Sequence, residues 1–171
     1  RLETGNLELA TDWVDLADLA RGAVARAERL HPGRHIRLDE AGLPLVLEGN
    51  ATLLEQVMFN LLDNAIKFSD GEIGVRLAHD GRGIRIEVED AGIGIPVEEL
   101  ELVFDKFHRV TRGDGRAAGT GLGLSICRGV VIAMGGSITA TSPIHGDRGT
   151  RITVRLPLPP HPPAGPKGGA R

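Results

Sequence analysis

FNLLDNAIKF, residues 59–68, closes a longer helical stretch, NATLLEQVMFNLLDNAIKF, residues 50–68. Asn50 is a capping residue type, and Ser69-Asp70-Gly71 supplies a stop. At about 100° per residue, Asn60, Asn64 and Lys67 fall within an arc of roughly 60°. Leu54, Val57, Met58, Leu61, Leu62 and Ala65 fill the adjacent apolar arc. On a solvated amphipathic helix such polar residues simply face water. Two neutral carboxamide oxygens beside one ammonium also suit a Mg²⁺–phosphate group, because Mg²⁺ keeps waters, borrows phosphate oxygens and needs few protein ligands. Lys67 would then offset the remaining phosphate charge.

Three further segments follow in order. EDAGIGIP, residues 89–96, comes directly after an alternating strand. Asp90 falls at the strand's end, where an ionised carboxylate acts only as an acceptor. That suits the exocyclic amine of adenine and repels the carbonyl of guanine. Gly92 and Gly94 allow a sharp turn and close backbone approach to a flat ring; glycines in a plain turn are the alternative. FDKF, residues 104–107, stands at the hinge of an aperiodic stretch, residues 107–120, that carries Arg109, Arg112 and Arg116 after Lys106. Loops of this length in a small domain are usually functional or disordered, and these cations can fold over phosphates. Phe104 and Phe107 are expected to anchor the loop's base. GTGLGLS, residues 119–125, runs into a helix whose N-terminal N–H groups can cradle an anion. Its glycine spacing and its position after a loop fit neither a dinucleotide fingerprint nor a P-loop.

The rest of the chain frames these segments. Residues 12–29 carry helical spacing, with Thr11 or Asp12 as the expected cap. Residues 35–38 and 45–47 read as short strands, and residues 73–78 and 84–88 as a hairpin around Asp80-Gly81-Arg82-Gly83. Pro96 opens an expected short helix with Glu98 and Glu99 in its first turn. A helix over residues 121–134 ends at Gly135-Gly136, and strands at 137–141 and 150–156 flank Gly146-Asp147-Arg148-Gly149. The tail from Pro157 holds six of the ten prolines and reads as disordered. The pattern predicts an α/β (α+β) two-layer sandwich, with a mixed, mainly antiparallel sheet of about five strands under three main helices on one face.

At 171 residues the chain suits one well-buried core. A net charge of −3 and only four Phe, one Trp and no Tyr argue against nucleic acid as a partner. The lone Cys127 excludes an internal disulfide and reads as a small buried hydrophobe. No apolar run approaches the roughly 18 residues needed to span a bilayer, so this piece is expected to be soluble. It starts at RLETGNLELA without an initiator Met and reads as a piece of a longer protein.

Over roughly residues 12–157, these motifs resemble the ATP-binding domain of sensor histidine kinases, on the Bergerat (GHKL) fold shared with DNA gyrase B, Hsp90 and MutL. The resemblance implies ATP and Mg²⁺ as cofactors. It implies Asn60 and Asn64 as metal-binding residues, Lys67 at phosphate and Phe68 as the aromatic near the nucleotide. Asp90, with Gly92, Gly94 and Ile95, would form the adenine wall. Phe104 and Phe107 match the family's Phe box, and Arg109 matches a lid residue that reaches phosphate. Gly119, Thr120, Gly121, Leu122, Gly123 and Leu124 match the second glycine box, and Gly149-Thr150 the final element near adenine. Relatives that hydrolyse ATP carry a water-activating Glu four positions before the metal-binding Asn; here that position is Asn60. The resemblance therefore favours donation to an external nucleophile over ATPase or topoisomerase activity.

In histidine kinases that nucleophile is a His in a helical hairpin motif. His79-Asp80-Gly81-Arg82 matches only in part: Gly83-Ile84 stands where Thr/Asn-Pro belongs, and the segment is a hairpin. His31, His108, His145 and His161 fit no better. Residues 1–11 are expected to be the end of the missing dimerisation hairpin and its linker, residues 12–157 the catalytic domain, and 158–171 the tail. TDWVDL, the stretch of residues 43–71, FDKFHR and GTGLGLSICRGVV resemble the KdpD-type potassium-sensor kinases more finely. The implied partners are the phosphoacceptor domain of the same parent and a cognate response regulator. The parent would be a membrane-bound homodimer with this domain in the cytoplasm, and the piece alone a monomer. A nucleotide-sensing module without catalysis and an anti-sigma-factor-like serine kinase are the alternatives.

Overall fold

The computed structural model describes residues 11–40, 44–81, 83–108 and 123–158. In chain order these form β1 (Asp12–Asp15), α1 (Leu16–Leu30), β2 (Ile36–Glu40), β3 (Val46–Gly49), α2 (Ala51–Phe68), β4 (Ile73–Asp80), β5 (Gly83–Asp90), α3 (Gly123–Ala133), β6 (Ser137–Thr141) and β7 (Thr150–Pro157). Five strands make one sheet in the order β2-β4-β5-β7-β6, with only the β2–β4 pair parallel. The three helices pack on one face of it. The α/β two-layer sandwich and its mixed, mainly antiparallel sheet are as the sequence predicts.

Period-two alternation explains how the sheet separates its faces. Ile73, Val75 and Leu77 of β4, Ile84, Ile86 and Val88 of β5, and Ile152, Val154 and Leu156 of β7 are all buried. They meet the apolar arc of α2, where Leu54, Val57, Met58, Leu61, Leu62, Ala65 and Ile66 are likewise buried. Helix α1 buries Leu16, Ala20, Ala23 and Ala27, and three small side chains along that stripe permit close approach to α2. On the opposite face ion pairs run between strands. Arg76 meets Glu87 at 3.5 Å, Arg151 meets Glu89 at 2.7 Å and Arg155 meets Asp80 at 3.1 Å.

Two elements differ from expectation. Residues 12–15 do not begin a helix; they pair antiparallel with β3 as a two-stranded ribbon, Val14 opposite Leu47. Asp15, not Thr11 or Asp12, caps α1, its Oδ1 accepting from Ala17 N at 3.0 Å and Asp18 N at 3.2 Å. A helical pattern continued backwards cannot show that a distant strand competes for the same residues. Downstream of Pro96 the expected helix is two 3₁₀ turns, Val97–Glu99 and Leu102–Phe104. Pro157, expected to open the tail, instead closes β7; the tail beyond residue 158 and most of the aperiodic loop lie outside the described residues.

Candidate functional site

The inner row of β5 continues past Ile84, Ile86 and Val88 to Asp90, which delivers its carboxylate between the sheet and the helices. Register sets Asp90 between Ile73 of β4 and Thr150 of β7. Asp90 is only 7% exposed and Thr150 is buried beside it. Asp90 Oδ1 accepts from Gly92 N at 2.9 Å, which curls the chain after β5 back over the strand's end. A Cβ on Gly92 would lie 2.2 Å from Phe68 O and 2.9 Å from Asp90 Oδ1. The C-terminal end of α2 therefore abuts the Asp90 corner, and only glycine fits between them.

A second closure comes from the turn before β7. Gly149, at φ +89°, donates its N–H to Gly92 O at 2.8 Å. Ser142, just after β6, accepts from Ile95 N at 2.9 Å and donates to Gly149 O at 2.8 Å. Asp90, Gly92, Gly94, Ile95, Phe68 and Thr150 are thus brought into one corner. Ser142 was not singled out from the sequence; its partners are 47 and 7 residues away, and no local motif marks such a contact.

The middle of α2 meets α3. Asn60 Nδ2 donates to Gly123 O at 3.4 Å, while Asn60 Oδ1 accepts from Gln56 Nε2 at 3.0 Å. Gly123 opens α3, and Leu124 turns into the core. Asn64 is half-buried one turn beyond Asn60. From Asn60 to Phe68 the helix axis advances about 12 Å. One helix therefore sets a carboxamide at its middle beside the start of α3 and its C-terminal end beside the Asp90 carboxylate of β5.

Lys67 lies on the same arc, with its ammonium 2.7 Å from Asp63 Oδ2; Asp63 Oδ1 is 3.4 Å from His31 Nε2. Asp63 escaped the sequence reading because it sits at the margin of the arc. Phe104 is buried at 4% exposure, but Phe107 is 68% exposed with φ +64°. Only Phe104 packs into the core as expected; the left-handed turn at Phe107, uncommon for a bulky residue, sends its ring outward. His108 Nε2 lies 3.1 Å from Glu99 Oε1. Arg109, Gly119, Thr120, Gly121 and Leu122 lie outside the described residues, as do Arg112 and Arg116.

His79 is exposed on a strand, whereas Cys127 is a packing group. His79 is the penultimate residue of strand β4, its ring nitrogen 3.2 Å from Pro44 O. Cys127 is fully buried on α3, and burial pushes its thiol up to about 12.

Residues 49–160 match the family described as histidine kinase-, DNA gyrase B-, and HSP90-like ATPase. The chain is 43% identical over 121 residues to the sensor histidine kinase RcsC of Escherichia coli K12, covering 70% of this chain and 12% of that protein. It is 34% identical over 161 residues to the sensor protein KdpD of the same organism, covering 90% of this chain and 17% of that one. It therefore spans less than a fifth of either relative. In structure it resembles the mycobacterial sensor histidine kinase MprB at a TM-score of 0.76 and 31% identity, covering 86% of this chain and 97% of that one. The chain belongs to the histidine kinase-, DNA gyrase B- and HSP90-like ATPase family, and within it to the catalytic domains of sensor histidine kinases.

Proposed function

We propose that this domain binds ATP with Mg²⁺ and donates the γ-phosphoryl group to a histidine on a separate phosphoacceptor and dimerisation domain, in two-component signalling. The imidazole nitrogen forms the new bond to phosphorus as the bridging P–O bond breaks. ADP leaves with the electron pair, and the ring's other nitrogen releases its proton. The observation that supports this most is that helix α2 touches both halves of the site. Its Phe68 end adjoins Asp90 through Gly92, suited to adenine. Its middle, at Asn60, adjoins the start of α3, suited to phosphates.

The donor set fits Mg²⁺. Among the described residues no group of three or more His, Cys, Asp or Glu side chains is placed to hold a metal. Such a site takes an ion that arrives with phosphate ligands and keeps its waters. Asn60 and Asn64 would hold it through their carboxamide oxygens. When bound, it supplies neutralisation of phosphate charge. The domain's own residues position the nucleotide, which is most of what phosphoryl transfer requires. Lys67 offsets phosphate charge, Asp90 holds the base, and Arg109 with the second glycine box (Gly119, Thr120, Gly121, Leu122, Gly123, Leu124) completes the phosphate end. A carboxamide at Asn60 cannot act as a general base, so water is not activated.

The parent is read as a membrane-bound homodimer that passes its phosphoryl group to a response regulator. Residues 12–157 would form its cytoplasmic catalytic unit, 1–11 the end of the hairpin and linker, and 158–171 a tail. No helix among the described residues is long and apolar enough to cross a membrane. Potassium sensing is the narrower proposal; the likeness to KdpD supports it, and the likeness to RcsC supports the wider class. The test is single-turnover transfer from γ-labelled ATP to a supplied phosphoacceptor hairpin, giving acid-labile phosphohistidine. Asn64→Ala should abolish transfer; transfer at the wild-type rate would refute the metal assignment. Acid-stable product would favour the serine kinase, and no transfer by the wild type a sensing module.

A further inference from the structure

We infer that Ser142 is a positioning residue that sets base selectivity by clamping the Gly92–Ile95 wall onto the Asp90–Thr150 corner. A hydroxyl has one proton to donate and lone pairs to accept, and Ser142 uses both kinds. Its Oγ takes the Ile95 N–H at 2.9 Å and gives its proton to Gly149 O at 2.8 Å. These partners belong to two loops with no covalent tie, one leaving β5 and one entering β7. The fit is close, since a Cβ on Gly94 would lie 2.7 Å from Ser142 Oγ. Gly149 N is bonded in turn to Gly92 O at 2.8 Å, and Gly92 N to Asp90 Oδ1 at 2.9 Å. The chain of bonds therefore runs from Ile95 through Ser142, Gly149 and Gly92 to the carboxylate.

The consequence is mechanical. Asp90 can distinguish one purine edge from another only if the opposite wall keeps the ring from sliding. The Gly149–Gly92 bond fixes the near end of that wall at the strand, and Ser142 fixes its far end at Ile95. Without the hydroxyl, the N–H of Ile95 and the carbonyl of Gly149 both lose their partner. The wall from Ile93 to Ile95 is then held only by its own turn. The inference rests on the reading of the Asp90 corner as an adenine site.

The experiment measures equilibrium binding of ATP and of purine riboside triphosphate, which lacks the 6-amino group, to the whole chain. Wild type, Ser142→Ala, Ser142→Thr and Asp90→Asn are compared. The preference for ATP should fall about five- to tenfold in Ser142→Ala, in keeping with the loss of two neutral hydrogen bonds, and return in Ser142→Thr. Amide exchange at Ile95 should quicken in Ser142→Ala alone, which reports the clamp even where binding is weak. Equal loss for both nucleotides, or unchanged Ile95 exchange, would overturn the inference. If Asp90→Asn leaves the preference intact, the adenine reading itself fails. If Asp90→Asn removes the preference and Ser142→Ala does not, only the role of Ser142 fails.

Discussion

Lys67 and Asp63 form an ion pair at 2.7 Å across one turn of α2, with His31 on the carboxylate's other oxygen at 3.4 Å. The pair is partly exposed, so its share of stability is small, about 0–1 kcal/mol. Its consequence is electrostatic: any polyphosphate that engages Lys67 must share it with a fixed negative charge. Asp63→Asn should leave the melting temperature within about a degree or two and tighten ATP binding about two- to threefold at low salt. Lys67→Ala should weaken it about tenfold, the loss shrinking as ionic strength rises. Titration calorimetry at two salt concentrations checks both; weaker binding in Asp63→Asn would mean that the carboxylate aims Lys67 instead of competing for it.

Asp90 supplies a buried acceptor at the end of the inner row of β5. Asp90→Asn keeps the shape and an Oδ1 that can still accept from Gly92 N, but loses the charge. A hydrogen bond to a charged group is worth about 1.5–3 kcal/mol, so ATP affinity should fall at least about tenfold with little change in fold. Fluorescent-nucleotide displacement reads the first and circular dichroism the second. Undiminished affinity would remove Asp90 from the base site.

Gly92 and Gly123 should respond oppositely to the same substitution. A methyl on Gly92 meets Phe68 O at 2.2 Å, and carbonyl oxygen of a helix end cannot swing aside. Gly92→Ala should cost about 1–3 kcal/mol and impair nucleotide binding through displacement of the loop. Among the described residues, nothing lies within 4 Å of a Cβ on Gly123, the first residue of α3. Gly123→Ala should therefore leave stability unchanged or raise it by up to about 1 kcal/mol. Urea denaturation of both variants makes the comparison.

Cys127 should be inert. Burial lifts its thiol from 9.0 to about 12, so it is protonated throughout the neutral range, and alkylating reagents require the thiolate. Above pH 9.0 the unfolded chain sheds this proton while the folded chain keeps it until about 12. The folded state then binds more protons, and stability falls as pH rises through that window. Cys127→Ala should flatten the alkaline decline in chemical denaturation. Rapid labelling of the native protein at neutral pH would contradict the assigned burial.

Local periodicity made most of the fold legible. The apolar arc of α2, the alternation of β4 and β5 and the glycine stop after α3 each arise from neighbours in sequence. What escaped depends on distant partners. Residues 12–15 carry a helix-compatible pattern, yet β3 offers them a ladder. Arg34 donates to Ile66 O and Gly71 O, each at 3.1 Å, meeting one carbonyl that the end of α2 leaves open and one in the turn beyond it; nothing near Arg34 announces this. In the site, the strand pattern indicates that Asp90 faces inward, whereas Ser142 and Asp63 matter only through contacts made after folding. Alternation specifies a side chain's direction, but not what will be waiting there.

The uncovered face of the sheet has one more consequence. Arg76 and Arg151 each answer a carboxylate on the neighbouring strand, and Arg155 reaches across β5 to Asp80 at the end of β4, so these charges on that surface are already paired. A protein settling there would have to strip water from these pairs and would find them already matched. A partner of either charge would therefore gain little from these three pairs.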